Sequence, residues 1–99
     1  MNVKHFLKVD GFQWDTGNIN KNWLKHKVSN EECEEVFFDQ GKKLLADPLH
    51  SSQEPRYLII GKTKQQRLLF VVFALRKNKI RIISARDLNK RERKLYEKN

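Results

Sequence analysis

Two arginines five positions apart, Arg81 and Arg86, stand in the stretch Lys79-Ile-Arg-Ile-Ile-Ser-Ala-Arg86. A guanidinium group offers planar, paired donors that match the oxygens of a phosphate or carboxylate. The stretch is rich in β-branched residues and reads as a strand. On a period of two, Ile80, Ile82, Ser84 and Arg86 share one face, and Arg81, Ile83 and Ala85 share the other. The two guanidinium groups are therefore expected on opposite faces, unless a bulge or the strand's end redirects one of them. An arginine on a packed strand is costly to bury unless something anionic meets it. A helix follows from Asn89, with Glu92 three residues on to complete an approximate capping box, and with Leu88, Leu95 and Tyr96 able to lie towards the sheet.

Charge gathers in the same place. The chain carries 21 Lys/Arg against 12 Asp/Glu, a net charge of +9, and residues 76–99 hold ten of the former against three of the latter. With a pI near 9.9, the expected partners are polyanions: nucleic acid, an anionic surface or an acidic protein. The plainest alternative is a solvated basic helix beside a sheet.

Ninety-nine residues make one domain, 1–99, with residues 1–11 as a lead-in of weak character. No apolar run approaches the roughly 20 residues that span a bilayer, and the N-terminus lacks a signal-like apolar block, so no membrane role is expected. The single cysteine, Cys33, cannot close an intrachain disulfide and fits a reducing compartment. A soluble, cytoplasmic protein is the expectation. No CxxC or HxxxH spacing occurs, so neither a metal site nor a cofactor is expected.

Phe6, Leu7 and Val9, with Phe12 and Trp14, suggest a first short strand, and Asp15 to Gly17 a turn. A helix is expected over 18–27, with Ile19, Trp23 and His26 sharing an apolar face. A second, over 30–38, opens on the capping box Ser29…Glu32 and turns Cys33, Val36 and Phe37 inward. Lys42 to Ala46 reads as a short strand, and Asp47 to Pro55 as a polar loop. Strands over 56–62, 68–75 and 80–86 are joined by connections too short for parallel crossovers, so they form an antiparallel meander. A last helix covers 89–97. The fold class is α+β: an antiparallel sheet, the meander of residues 56–86 plus short N-terminal strands, packed by two N-terminal helices and one C-terminal helix.

One constellation runs through the whole chain: Phe12-Gln-Trp-Asp15, Asn22, Lys25-His26, Val28-Ser29, Glu32, Val36-Phe37, Asp47-Pro48, His50-Ser51, Glu54, Arg56, Gly61, Arg81-Ile-Ile-Ser-Ala-Arg86 and Arg91-Glu92…Tyr96. In order and spacing it resembles the BrnT family of type II toxins over residues 12–97. The departures are Lys27 where the family has glycine, Trp23 for a smaller aliphatic, Cys33 for alanine, and a longer start. The resemblance implies a RelE-like fold and a ribonuclease activity that inhibits translation. It also implies a cognate DNA-binding antitoxin encoded alongside, with operator DNA reached only through that antitoxin.

Metal-free RNA cleavage needs a base for the ribose 2′-OH, an acid for the leaving oxygen, and positive donors for the charge that builds on phosphate. Arg81 and Arg86 are the candidates for the phosphate, with Arg56 joining them if its strand neighbours the last. Arg86, at the strand's end, is expected to weigh more in the chemical step. His50 and Glu54 are the acid–base candidates, and Lys25, His26, Arg91 and Tyr96 the further substrate contacts. Each has an ordinary alternative. His26 can be a core or helix-end histidine, Glu54 and Arg56 a structural ion pair, and Glu92 a clamp on Arg81 or Arg86. Tyr96 can be a packed ring with a tethered hydroxyl, and Lys90, Arg91, Arg93 and Lys94 a solvated face. The competing function is a non-catalytic basic module that binds nucleic acid or an acidic protein partner.

Overall fold

The computed structural model describes residues 9–46 and 54–98. In chain order these form β1 (Phe12–Gln13), α1 (Lys21–His26), α2 (Asn30–Glu35) continued by a 3-10 turn (Val36–Phe38), β2 (Lys43–Ala46), β3 (Arg56–Lys62), β4 (Leu68–Arg76), β5 (Lys79–Asp87) and α3 (Lys90–Glu97). The five strands make one sheet in the order β1-β5-β4-β3-β2. Strands β2 to β5 pair antiparallel in sequence order, as their short connections require. The turn between β4 and β5 is two residues, Lys77 and Asn78, both at positive φ (50° and 65°), as a tight hairpin demands.

The sheet is nevertheless mixed, which corrects the expectation of a wholly antiparallel one. β1 runs parallel to β5, with Phe12 beside Ile80 and Gln13 beside Arg81. With 65 residues between Gln13 and Lys79, no short turn dictates direction, and β5 offers its free edge. Phe6 and Leu7, expected in this strand, lie outside the described residues, as does the 47–53 stretch with His50.

One face of the sheet carries the core. Ile59, Leu69, Val71, Phe73, Ile80, Ile82 and Ala85 meet Val28, Cys33, Val36 and Phe37 from the helical layer. The Phe37 ring stands edge-on to Phe12 and Phe73, at centroid distances of 5.4 and 5.0 Å. Gly61 lets this layer close down, because a Cβ there would stand 2.8 Å from the Val36 carbonyl oxygen. Burial pushes the Cys33 thiol up to about 12, as a small core residue in apolar surroundings should be.

Helix starts follow the capping chemistry. Ser29 and Glu32, and Asn89 and Glu92, each form a reciprocal box. The first helix is shorter than expected, since residues 16–20 are turns. Its inward residue is also different. Ile19 and Trp23 are 46% and 47% exposed and His26 is exposed too, whereas Asn18 and Asn22 are buried at 3% and 4%. Lys27, in the position where glycine was the family pattern, caps α1 in the left-handed region at φ 56°.

Arg67, to which the sequence reading gave no role, ties three elements together. Its guanidinium donates to Glu32 and Asp87 and to the carbonyls of His26 and Lys27 at the end of α1.

Candidate functional site

The opposite face of the sheet carries the cationic side chains. Residues paired across neighbouring strands lie on the same face. Arg56 pairs with Ala74, Ala74 with Arg81, and Arg81 with Gln13, so one row crosses four strands. Ala74 is fully buried in the middle of the row, and its small side chain separates two guanidinium-bearing residues whose backbones stand about 10 Å apart at normal strand spacing. Arg76, two residues along β4 from Ala74, adds a third arginine to the same face. β3 does not neighbour β5, since β4 lies between them, yet Arg56 and Arg81 belong to one row.

Two carboxylates hold this group. Asp15 takes paired bonds from Arg81 at 2.8 and 3.0 Å, and Gln13 Oε1 takes a third at 3.1 Å. The Arg81 side chain is 12% exposed in this clasp. Gly17 makes room for it, because a Cβ at that position would sit 2.8 Å from Nη2 of Arg81. Glu54 takes paired bonds from Arg76 at 2.6 and 2.9 Å. Glu54 thus pairs with Arg76, not with Arg56 as the ordinary sequence reading had it. The bond from Arg81 holds the Asp15 carboxyl below its ordinary range, and the bond from Arg76 does the same for Glu54. Glu54 also feels Arg56 and Arg81, and Asp15 feels Arg76, so the five groups act on one another electrostatically.

Arg86 lies on the same face as Arg81. It pairs with Phe70, which stands four residues from Ala74 on β4, so the two arginines are co-facial and about 13 Å apart. The cause is a bulge. Val72 pairs with Ser84 but Phe73 pairs with Ile82, leaving Ile83 as the extra residue. The expectation of opposite faces is corrected by this register shift, and the ranking of Arg86 above Arg81 loses its premise. The Arg86 guanidinium stacks 4.1 Å over the Phe70 ring and makes two 2.8 Å bonds to Glu92. Those bonds lower the Glu92 carboxyl and raise Arg86 further.

Residues 14–92 match the family described as ribonuclease toxin, BrnT, of type II toxin-antitoxin system. The chain belongs to this family. No curated protein matches it. Placed on the structure, the BrnT motifs divide into two groups. Asp15, Glu54, Arg56 and Arg81 gather at one end of this sheet face, while Arg86 and Glu92 stand at its other end. Lys25, His26 and Arg91 are exposed on helices and do not join either group. Tyr96 is held elsewhere: its hydroxyl donates to Asp39 at 2.7 Å, and Lys62 sits 5.9 Å from its ring. Burial and that bond push the Tyr96 phenol up to about 12. Burial works against ionisation of Asp39, but bonds from Tyr96, Gly41 and Lys62 outweigh it and its carboxyl is lowered. This is the tethered hydroxyl of the ordinary reading.

Sequence reasoning missed Arg76, which lies just beyond the strand expected over 68–75, and Asp15, which it treated as a turn former. Among the described residues, no three His, Cys, Asp or Glu side chains converge to hold a metal ion. No helix among them is long and apolar enough to cross a membrane.

Proposed function

We propose that this protein is a cytoplasmic endoribonuclease toxin with a RelE-like fold, that it cleaves RNA without a metal ion and thereby inhibits translation, and that the scissile phosphate is held over the row Arg56–Ala74–Arg81 beside Arg76. Family membership supports the activity. The observation that carries the location is the gathering of three arginines on one face around a buried alanine.

In such a cleavage the ribose 2′-oxygen attacks the adjacent phosphorus and the bond to the 5′-oxygen breaks. A proton leaves the 2′-OH and another arrives on the leaving oxygen, giving a 2′,3′-cyclic phosphate and a free 5′-OH. Negative charge builds on the non-bridging oxygens, and guanidinium groups fixed in advance stabilise it without reorganising. Glu54, ionised and bonded to Arg76, is assigned the proton-acceptor role. His50 is assigned the donor role, because histidine titrates nearest neutrality. Arg86, stacked on Phe70, takes a neighbouring phosphate, and Arg91 adds to the electrostatic attraction.

A type II toxin implies a cognate antitoxin. We assign that partner, DNA-binding and encoded alongside, acidic and apolar groups that cover the basic residues 76–98, with operator DNA bound only through it. Such pairing speeds association at low salt.

The test is incubation of the purified protein with RNA in excess chelator, with the ends of the products identified. Cyclic-phosphate ends that disappear with Arg81→Ala support the enzyme. Salt-sensitive binding without cleavage would replace it with the non-catalytic module.

A further inference from the structure

The bulge in β5 decides where Arg86 points. Without the extra residue at Ile83, the pairing of Phe73 with Ile82 would continue regularly and set Arg86 opposite Leu69. Leu69 is fully buried in the core, so the guanidinium would be driven into apolar surroundings and away from Arg81. Beyond the two-residue β1, the outer edge of β5 also leaves backbone groups without ladder partners, and these must be satisfied another way.

Two buried asparagines do this. Asn22 Oδ1 accepts the Ala85 N–H at 3.0 Å. Asn18 Nδ2 donates to the Ile82 carbonyl at 3.1 Å and to the Gln13 carbonyl at 3.0 Å. Ile82 and Ala85 bracket the bulge on either side. Asn18 Oδ1 also accepts the Asp15 N–H at 2.9 Å, which fixes the turn whose carboxylate clasps Arg81. Leucine at either position would bury more apolar surface, and a buried amide is costly unless fully bonded. Their value lies in the backbone they hold.

We infer that Asn18 and Asn22 are positioning residues for RNA cleavage, which pin the β5 bulge and the Asp15 turn so that Arg81 and Arg86 face the same RNA strand. The inference rests on the ribonuclease reading above. Asn22→Leu keeps the γ-branched shape and removes the acceptor, whereas Asn22→Asp keeps an oxygen in the same place. With both variants shown to be folded, Asn22→Leu should lower kcat about ten-fold or more while KM moves less than about three-fold, because misplacement of donors acts on the transition state. Asn22→Asp should recover most of that loss. A folded Asn22→Leu protein with unchanged kcat overturns the assignment, and so does a loss in KM alone.

Amide exchange in the unaltered protein decides the geometry without RNA and without a variant. The Ala85 N–H should exchange as slowly as the ladder amides of β4, and exchange at the rate of an unbonded edge amide overturns the assignment. If the unaltered protein cleaves no RNA while Ala85 is protected, the ribonuclease reading fails and the pinned bulge stands.

Discussion

Arg81 and Arg86 lie on the same face of β5 although an odd number of positions separates them, because Ile83 is bulged out of the ladder against β4. This relationship turns two isolated strand arginines into the ends of one surface about 13 Å long. At one end Arg56 and Arg76 join Arg81, and at the other Phe70 supports Arg86. Each end is held in advance by a carboxylate, Asp15 or Glu92, through paired bonds. An incoming phosphate meets guanidinium groups whose orientation is already fixed, and its binding need not supply the entropy of ordering them.

Arg67 is predicted to matter for stability and not for cleavage. Its guanidinium joins Glu32, Asp87 and the end of α1, with its side chain 27% exposed. Arg67→Met should lower stability by about 1–3 kcal/mol, which for a chain of this size lowers Tm by about 4–8 °C per kcal/mol. The rate per folded molecule at 25 °C should stay at that of the unaltered protein. Thermal denaturation and cleavage measured on one preparation check both halves, and a Tm unchanged by the substitution would contradict the first.

The acid limb of stability follows from the same pairs. Asp87 is lowered from its ordinary 3.8 by Arg67, and Glu92 from its ordinary 4.5 by Arg86. Asp15 and Glu54 are lowered by Arg81 and Arg76 in the same way. A carboxyl whose folded pKa lies below its unfolded one stabilises the fold above the unfolded value, and that stabilisation is lost as pH falls through the folded one. Urea midpoints should therefore be level above about pH 5 and fall steadily below about pH 4. A midpoint unchanged between pH 6 and pH 3 would refute this.

Lys27 carries a backbone strain that glycine would not. At φ 56° it occupies the left-handed region, and its ammonium lies 5.4 Å from the centre of the Trp23 ring. Relief of the strain by Lys27→Gly, about 1 kcal/mol, should exceed the exposed cation–π contact it removes, about 0.5 kcal/mol. The denaturation midpoint should rise for Lys27→Gly and fall for Lys27→Ala, which keeps the strain and loses the contact. The reverse order would show that the ring contact dominates.

Most of the sheet was legible in the sequence because its signals are local. Strand runs over 56–62, 68–75 and 80–86 were plain in the residues, short connections fixed the antiparallel meander, and two capping boxes marked two of the helix starts. What was not legible depends on partners distant in the chain. The bulge at Ile83 exists only relative to Val72 and Phe73, so a period of two carried through residues 80–86 gave the wrong face for Arg86. The parallel pairing of β1 depends on which edge of β5 stays open. Asn18 and Asn22 look like ordinary polar residues of an exposed helix, and only the orphaned backbone groups of β5 explain why they are buried while Ile19 and Trp23 are not. Arg56 and Arg81 were joined only on the condition that their strands were neighbours, but the row that joins them passes through Ala74 on the strand between, a residue with no chemistry of its own.

The central claim is that phosphate is held at the Arg81 end of the co-facial surface, and single-turnover cleavage of one RNA by Arg81→Lys and Arg86→Lys tests it most directly. Lysine keeps the charge and loses the paired donors. Arg81→Lys should slow the chemical step about ten-fold or more with little change in RNA affinity, and Arg86→Lys should weaken affinity with a smaller effect on the step itself. Normal cleavage by Arg81→Lys beside an inactive Arg86→Lys would contradict the account and move the chemistry to the Phe70–Glu92 end.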